Sequence, residues 1–262
     1  MPVLIHYIES EDISYADYAR FEVHAEKIIQ MKSDNLLALL EYHQCECDNR
    51  PGTALIYEDF SGERFDRYVK HATVSINDFF WFARQIIIAM MPFHDREMLL
   101  SSVRPSSFAM RTDRTVACID VGLASIISHA EDDIASELVL RHVLPYISPE
   151  KTERTKHAVD RRSDLYSLGT LLFELLTGSP PFIANDPLNI VHGHLAKTPI
   201  LPAADAYTEA LFSIVAKLLE KLPDDRYQSL EALLEDIVEI EEHYRDGISL
   251  EAFIPGKRDV RD

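Results

Sequence analysis

The spacing of apolar residues divides the chain into a short strand-and-helix part and a longer, mainly helical part. Short apolar runs of about four to eight residues predict strands, and apolar positions three or four residues apart predict helices. The predicted strands cover residues 3–8, 36–42, 54–59, 108–111 and 116–119. The predicted helices cover residues 14–32, 76–94, 163–177, 187–196, 208–222 and 230–244.

Capping and turn-forming residues support several of these boundaries. Ser14 is placed to cap the first helix. Asn49, Pro51 and Gly52 predict a turn within the polar stretch 44–52, which would join the second and third strands as a loop. Gly178 ends the helix 163–177. Two helices, 76–94 and 163–177, are apolar almost all round, so we expect them to be buried on most sides.

Composition narrows the classes of function. A chain with 47% hydrophobic and 27% charged residues is ordinary for a soluble globular protein. The formal net charge of −18 argues against nucleic acid or an anionic membrane as a partner. No apolar run reaches the roughly 18 residues needed to span a bilayer, and the three cysteines are best explained as reduced thiols. We therefore expect a cytoplasmic protein.

Four stretches resemble landmarks of eukaryotic-type protein kinases, in the same order and at similar separations. Residues 146–150 resemble the Ala-Pro-Glu that closes the activation segment, and residues 163–169 resemble the central helix of the large lobe. Residues 225–227, Asp-Arg-Tyr, resemble the late motif whose arginine pairs with that glutamate, and residues 120–122 stand where the metal-binding Asp-Phe-Gly belongs. The resemblance implies an α+β, protein-kinase-like bilobal fold with a mainly helical C-lobe.

The resemblance also implies how the chain is divided. Residues 1–60 would form a partial kinase N-lobe, residues 61–245 the C-lobe, and the charged residues 246–262 a linker toward a following domain. The strand at residues 3–8 corresponds to the third strand of a kinase N-lobe. Because the eight glycines never fall at the Gly-x-Gly-x-x-Gly spacing, we expect the N-lobe to be truncated, with the first two strands and the glycine loop absent.

The positions that would transfer phosphate carry unsuitable residues. Phosphoryl transfer depends on positioning and charge neutralisation by a few groups, so their loss is diagnostic. His6 replaces the phosphate-pairing lysine. Residues 100–102, Leu-Ser-Ser, replace the catalytic-loop His-Arg-Asp, so that Ser102 stands in place of the catalytic aspartate. Arg104 replaces the catalytic-loop lysine, and Ser107 replaces the metal-binding asparagine. The sequence therefore predicts no catalytic residue.

The structural positions of the family are kept, in contrast. The resemblance implies a bidentate, buried ion pair between Glu150 and Arg226. It also implies that Asp164 caps the backbone of the catalytic loop, and that Leu100 fills the internal stack where histidine belonged. A scaffold that is preserved while reactive positions are lost favours a pseudokinase over random decay.

Asp120 is the one reactive landmark left, and two interpretations are open. It could bind metal or nucleotide, or it could be a turn aspartate that accepts hydrogen bonds from nearby backbone N–H groups. The second is favoured because the lysine, the glycine loop and the asparagine are missing. His6 is likewise a substitute phosphate contact or a surface or lobe-interface histidine, with its helical partner at His24 or Glu26. We expect no cofactor, with ATP and magnesium at Asp120 as the alternative.

A narrower resemblance covers the region from residue 144 to residue 199. Residues 144–150, 160–169, 185–188 and 191–199 are similar to the kinase-like N-terminal module of very large sensor histidine kinases, which contain an AAA-type ATPase region and work in a phosphorelay. This implies a regulatory or docking module in stress signalling, whose partners are proteins or neighbouring domains of the same chain. The alternative is an atypical ATP-dependent serine/threonine kinase whose N-terminal strands are missing from this sequence.

Overall fold

The computed structural model describes residues 3–9, 14–71, 74–100, 102–123, 142–202, 205–250 and 253–259. Ser101, in the catalytic-loop stretch, and residues 251–252 and 260–262, in the predicted linker, lie outside the described residues. Among the described residues, no helix is long and apolar enough to cross a membrane.

The N-terminal part is a three-stranded antiparallel sheet with one helix packed on it. Its elements are β1 (Val3–Glu9), α1 (Tyr15–Ile29), β2 (Leu39–Cys47) and β3 (Arg50–Glu58), with strand order β1-β3-β2. Ser14 caps α1, because its hydroxyl oxygen accepts a hydrogen bond from Asp17 N at 3.0 Å. Phe21 of α1 meets Tyr42 of β2 edge to face. This contact fixes the helix against the sheet.

The predicted loop at residues 44–52 is wrong, because both flanking strands continue through it. Cys47 pairs with Arg50, and only Asp48 and Asn49 form the turn. Both turn residues have positive φ angles, 52° and 61°, as the type I′ hairpin turn requires. The hairpin tip is polar because it is exposed, and this polarity resembled a loop in the sequence.

A second small sheet carries the residues at the base of the cleft described below. It contains β4 (Gly62–Arg64), β5 (Phe108–Arg111) and β6 (Val116–Cys118), in that order. The helix α2 (Phe65–His71) follows β4 directly. The sequence predicted β5 and β6, but it missed β4 and α2, which are too short to show a period.

The helical body is built around two long buried helices. Its elements are α3 (Ile76–His94), α4 (Arg161–Thr177), α5 (Pro187–Ala196), α6 (Ala206–Leu218) and α7 (Leu230–Asp246). Gly169 lets α4 approach α6 closely, since a Cβ there would lie 2.7 Å from Leu218 Cβ. The predicted end of α6 at residue 222 is wrong: the helix stops at Leu218, and Pro223 begins a short 3-10 turn.

The chain after α7 turns back onto the helical body. Leu250 and Phe253 pack against the hydrophobic core, and Asp259 accepts a hydrogen bond from Gln228 N at 2.6 Å. The composition of this stretch had suggested a linker. The structure places residues 253–259 against the domain, and a linker toward a following domain stays a prediction.

Candidate active site

A cleft of about 560 Å³ lies between the N-terminal sheet and the second sheet. This volume falls within the range of about 300–1,000 Å³ typical of small-molecule pockets. Its lining includes three of the kinase-like positions named above: His6 in β1, Asp120 just after β6, and Arg104. The apolar part of the lining consists of Leu4, Ile5, Leu37, Leu55, Tyr57, Phe60, Ala109, Ile119, Val121 and Leu123.

His6 lies on the wall of this cleft, in β1 opposite Leu55. The α1 residues expected to be its partner are engaged elsewhere or face solvent. His24 Nδ1 is 2.8 Å from the carbonyl oxygen of Arg20, and Glu26 is exposed. Within the described residues, no hydrogen bond or ion pair joins His6 to either of them. In the part of the chain that the structure describes, His6 therefore forms no counterpart of the cation–carboxylate pair of an active kinase.

Asp120 is paired with a cation of the protein itself. Its Oδ1 accepts a hydrogen bond from Gly122 N at 3.2 Å, as in a turn. Its Oδ2 lies 3.5 Å from Arg104 Nη2, and the two side chains are 32% and 16% exposed. Arg104 Nη1 also donates to the carbonyl oxygen of His142 at 3.4 Å. The guanidinium thus stands beside the oxygen that a divalent cation would need.

Ser102 and Ser107 are buried beneath the cleft and do not line it. The Ser107 hydroxyl donates to the carbonyl oxygen of Ser102 at 2.9 Å. The carbonyl oxygen of Ser107 accepts hydrogen bonds from the backbone N–H groups of Ile119 and Asp120. These contacts tie the catalytic-loop stretch to the residues after β6, and the Ser107 hydroxyl is directed at backbone.

Asp164 holds the backbone of the catalytic-loop stretch from below. It is fully buried at the start of α4, and its Oδ2 accepts from Leu100 N at 2.9 Å. Two further side chains approach it: His94 Nε2 at 3.2 Å and Lys151 Nζ at 3.5 Å. Lys151 also donates to the carbonyl oxygen of Leu100 at 3.2 Å. Lys151 was not among the residues singled out from the sequence, because no spacing pattern places it next to Asp164.

Glu150 and Arg226 form a bidentate ion pair in the core. Arg226 Nη1 and Nη2 lie 2.7 and 3.0 Å from the two carboxylate oxygens, and the two side chains are at most 1% exposed. Ser163 Oγ donates to the same carboxylate at 2.7 Å. Burial raises the pKa of Glu150, but the hydrogen bonds and charge of Arg226, with the Ser163 bond, outweigh it and hold the pKa below its ordinary value.

A second cavity, of about 700 Å³, lies on the other side of Arg104. Tyr146 and Glu174 line it, and the Tyr146 hydroxyl donates to Glu174 Oε2 at 2.6 Å. Burial raises the pKa of Tyr146, as does the neighbouring charge of Glu174. Next to this groove, α5 buries Ile190 and leaves Leu188 59% exposed. An apolar side chain is therefore presented to solvent beside the groove.

Metal binding finds little support in the geometry. In the part of the chain that the structure describes, no group of three or more His, Cys, Asp and Glu side chains could hold a metal ion. Among the described residues that line the cleft, Asp120 is the single carboxylate, and Arg104 lies beside it.

The model of the protein kinase domain matches residues 7–238, so the chain belongs to the protein kinase domain family. The kinase-like α+β fold predicted from the sequence is thereby confirmed, whereas the absence of the first two strands stays a prediction. The chain is 28% identical over 234 residues to the serine/threonine-protein kinase PknB of Mycolicibacterium smegmatis, a match covering 86% of this chain and 36% of that protein.

Two further relatives match shorter segments. Hybrid signal transduction histidine kinase G of Dictyostelium discoideum is 52% identical over 94 residues, which is 35% of this chain and 3% of that protein. Histidine protein kinase 1 of Candida albicans is 38% identical over 108 residues, which is 40% of this chain and 4% of that protein. The predicted similarity to large histidine kinases is confirmed, and the chain spans 36% or less of these three relatives.

Proposed function

We propose that this chain is a catalytically deficient protein kinase domain, a pseudokinase, that acts as a regulatory and docking module. In this proposal its host is a phosphorelay sensor histidine kinase in stress signalling, and its partners are proteins or neighbouring domains of the same chain. The support for this host is the 52% identity to part of a hybrid signal transduction histidine kinase. Nucleic acid and membranes are not partners, and the location is the cytoplasm.

The observation that carries the proposal is the pairing of Asp120 with Arg104 on a cleft whose described lining contains no other catalytic group of a kinase. His6 on the cleft wall has no carboxylate partner within the described residues, and the Ser107 hydroxyl donates to backbone. Ser102 cannot act as a base near neutral pH. A divalent cation at Asp120 would have to displace a guanidinium 3.5 Å from its Oδ2 or share the carboxylate with it. ATP with magnesium is therefore not a cofactor in this proposal.

The first test is nucleotide binding to the purified chain. ATP is titrated with magnesium and with a chelator, and binding is followed by calorimetry for the natural chain and for Asp120→Asn. We expect no magnesium-dependent binding in either protein. Magnesium-dependent ATP binding that Asp120→Asn abolishes would contradict the proposal, because it would show that the carboxylate still holds a metal.

The docking part of the proposal concerns the surface formed by residues 188–199 on and after α5. A domain without catalytic groups acts through differential binding, so its effect on a host is a coupling free energy of about 1–3 kcal/mol. Leu188 is 59% exposed on this surface, and the residues belong to the stretch that is similar to histidine kinase modules. These residues lie outside every catalytic landmark, and the exposure of Leu188 and Lys197 among them fits a binding role.

The docking surface is tested in the full-length parent protein. Leu188→Asp and Lys197→Glu change the surface, and Tyr15→Asp is the control, since Tyr15 is 92% exposed on α1 in the other part of the domain. We expect the two surface variants to change histidine phosphorylation and stress signalling, and the control to leave both unchanged. If deletion of residues 1–245 alters neither under any inducing condition, the domain is a passive appendage.

A second candidate function is an ATP-dependent serine/threonine kinase with further N-terminal strands. The observation in its favour is the edge of the N-terminal sheet, where Val3, Leu4 and Ile5 are 44%, 47% and 59% exposed. Apolar side chains on an edge strand are normally covered. The same ATP titration separates the two candidates, because an active kinase requires magnesium-dependent binding.

A further inference from the structure

The segment of residues 253–259, here called the tail turn, is held to the helical body by specific polar contacts. Gly256 N donates to Asp236 Oδ2 at 2.6 Å. Asp259 accepts from Gln228 N at 2.6 Å and from Ser229 Oγ at 3.3 Å. Arg258 Nη2 lies 2.9 Å from Glu239 Oε2. These four contacts hold the tail turn in one docked position on the helical body.

Asp236 is the centre of this arrangement. Asp236 lies in α7 and is only 3% exposed. The same oxygen, Oδ2, accepts from the Tyr227 hydroxyl at 2.5 Å and from Gly256 N at 2.6 Å. A buried carboxylate is costly unless it is hydrogen-bonded. Loss of either donor therefore destabilises the buried carboxylate to which the other donor is bonded. Tyr227 and the tail turn are thus energetically linked through one oxygen atom.

Tyr227 follows Arg226, the buried partner of Glu150, directly in the chain. Gln228, which donates to Asp259, also donates to the carbonyl oxygen of Arg226 at 2.8 Å. Ser229 both caps α7, accepting from Ala232 N at 3.2 Å, and donates to Asp259. Three consecutive residues after Arg226 therefore contact the tail turn directly or through Asp236.

We propose that the tail turn is a latch that couples the Glu150–Arg226 pair, through Tyr227, Gln228 and Asp236, to the docked position of residues 253–259. Its regulatory meaning rests on the proposed function, in which the domain signals to a neighbouring domain. A change at the buried pair shifts the latch between docked and released positions, and release of the latch loosens residues 226–229 in return, since coupling is reciprocal.

The test is amide hydrogen exchange, read residue by residue, on the purified 262-residue chain. In the natural protein we expect slow exchange at Gly256 and Gln228. Tyr227→Phe removes one donor to Asp236, and exchange at Gly256 should rise about tenfold or more. The matched control is Tyr207→Phe, which also removes a hydroxyl bonded near the tail, at 3.1 Å from the carbonyl oxygen of Ile248. Exchange at Gly256 should stay within about twofold in this control.

Asp259→Asn tests the coupling in the reverse direction. We expect faster exchange at the amide of Arg226, which donates to the carbonyl oxygen of Pro223 at 3.3 Å, while amides in the middle of α3 are unchanged. Free exchange at residues 253–259 of the natural protein would refute the latch. An effect of Asp259→Asn limited to the tail turn and Gln228 would refute the coupling. Both readouts are independent of nucleotide binding and of host signalling, so they can fail while the proposed function stands.

Discussion

Removal of Arg226 should destabilise the domain far more than any change on the catalytic-loop stretch. In Arg226→Ala the carboxylate of Glu150 stays in a site where the side chain is at most 1% exposed. Breaking a buried pair in this way costs about 3–5 kcal/mol. Arg226 also donates to the backbone carbonyl oxygens of Arg162, Glu220 and Lys221. Loss of these bonds pushes the cost toward the upper end of the range.

The measurement is the free energy of unfolding in urea, supported by thermal melting. For a domain of this size the expected loss corresponds to a decrease in Tm of roughly 6–20 °C. The double variant Glu150→Gln with Arg226→Met should cost less than the sum of the single changes, since no charge is stranded.

Ser102→Ala is the control, because the described contacts give the Ser102 hydroxyl no hydrogen bond. Its cost should be below about 1 kcal/mol. If Ser102→Ala were as harmful as Arg226→Ala, the division into kept structural positions and lost catalytic positions would be wrong.

Three further outcomes are expected. Burial and the charge of Lys221 lower the pKa of His194 to about 3 in the folded protein. The pKa of a histidine in the unfolded chain is about 6.5, so between these two pH values only the unfolded chain binds the proton. Stability should therefore fall on acidification between about pH 6.5 and 3, and His194→Gln should flatten that slope in urea titrations. Gly169→Ala should cost about 1–3 kcal/mol by overpacking against Leu218, whereas Gly178→Asn, at φ 83° in open space, should cost less; equal losses would contradict the packing. Phe253→Ala should lower the free energy of unfolding by about 1–3 kcal/mol if the tail turn belongs to the domain, and an unchanged urea midpoint would argue that it does not.

The sequence predicted the elements with long periodic patterns and clear caps. The helix at 76–94 has its observed bounds because Ser75 caps it and its apolar residues continue to Phe93. The hairpin at 44–52 was taken for a loop because exposed strands carry polar residues. The helix α2 was missed because seven residues are too few for a helical period to show.

The site was predictable in residue identity and less so in geometry. Alignment with kinase landmarks identified Arg104 and Asp120 as separate positions. Their approach to 3.5 Å depends on how residues 105–119 fold, which no spacing rule gives. The contact between Lys151 and Asp164, which lie 13 positions apart in the sequence, likewise depends on how the intervening residues fold. The docking of residues 253–259 was hidden by their charged composition, although Asp259 and Gly256 make the decisive contacts through a carboxylate and a backbone N–H.

Time-dependent phosphate incorporation by the purified chain tests the central claim most directly. The protein is incubated with labelled ATP and magnesium, with the natural sequence and Asp120→Asn in parallel. Because no base stands at Ser102 and no lysine at His6, we predict incorporation indistinguishable from background in both proteins. Incorporation that grows with time in the natural protein and disappears in Asp120→Asn would contradict the account.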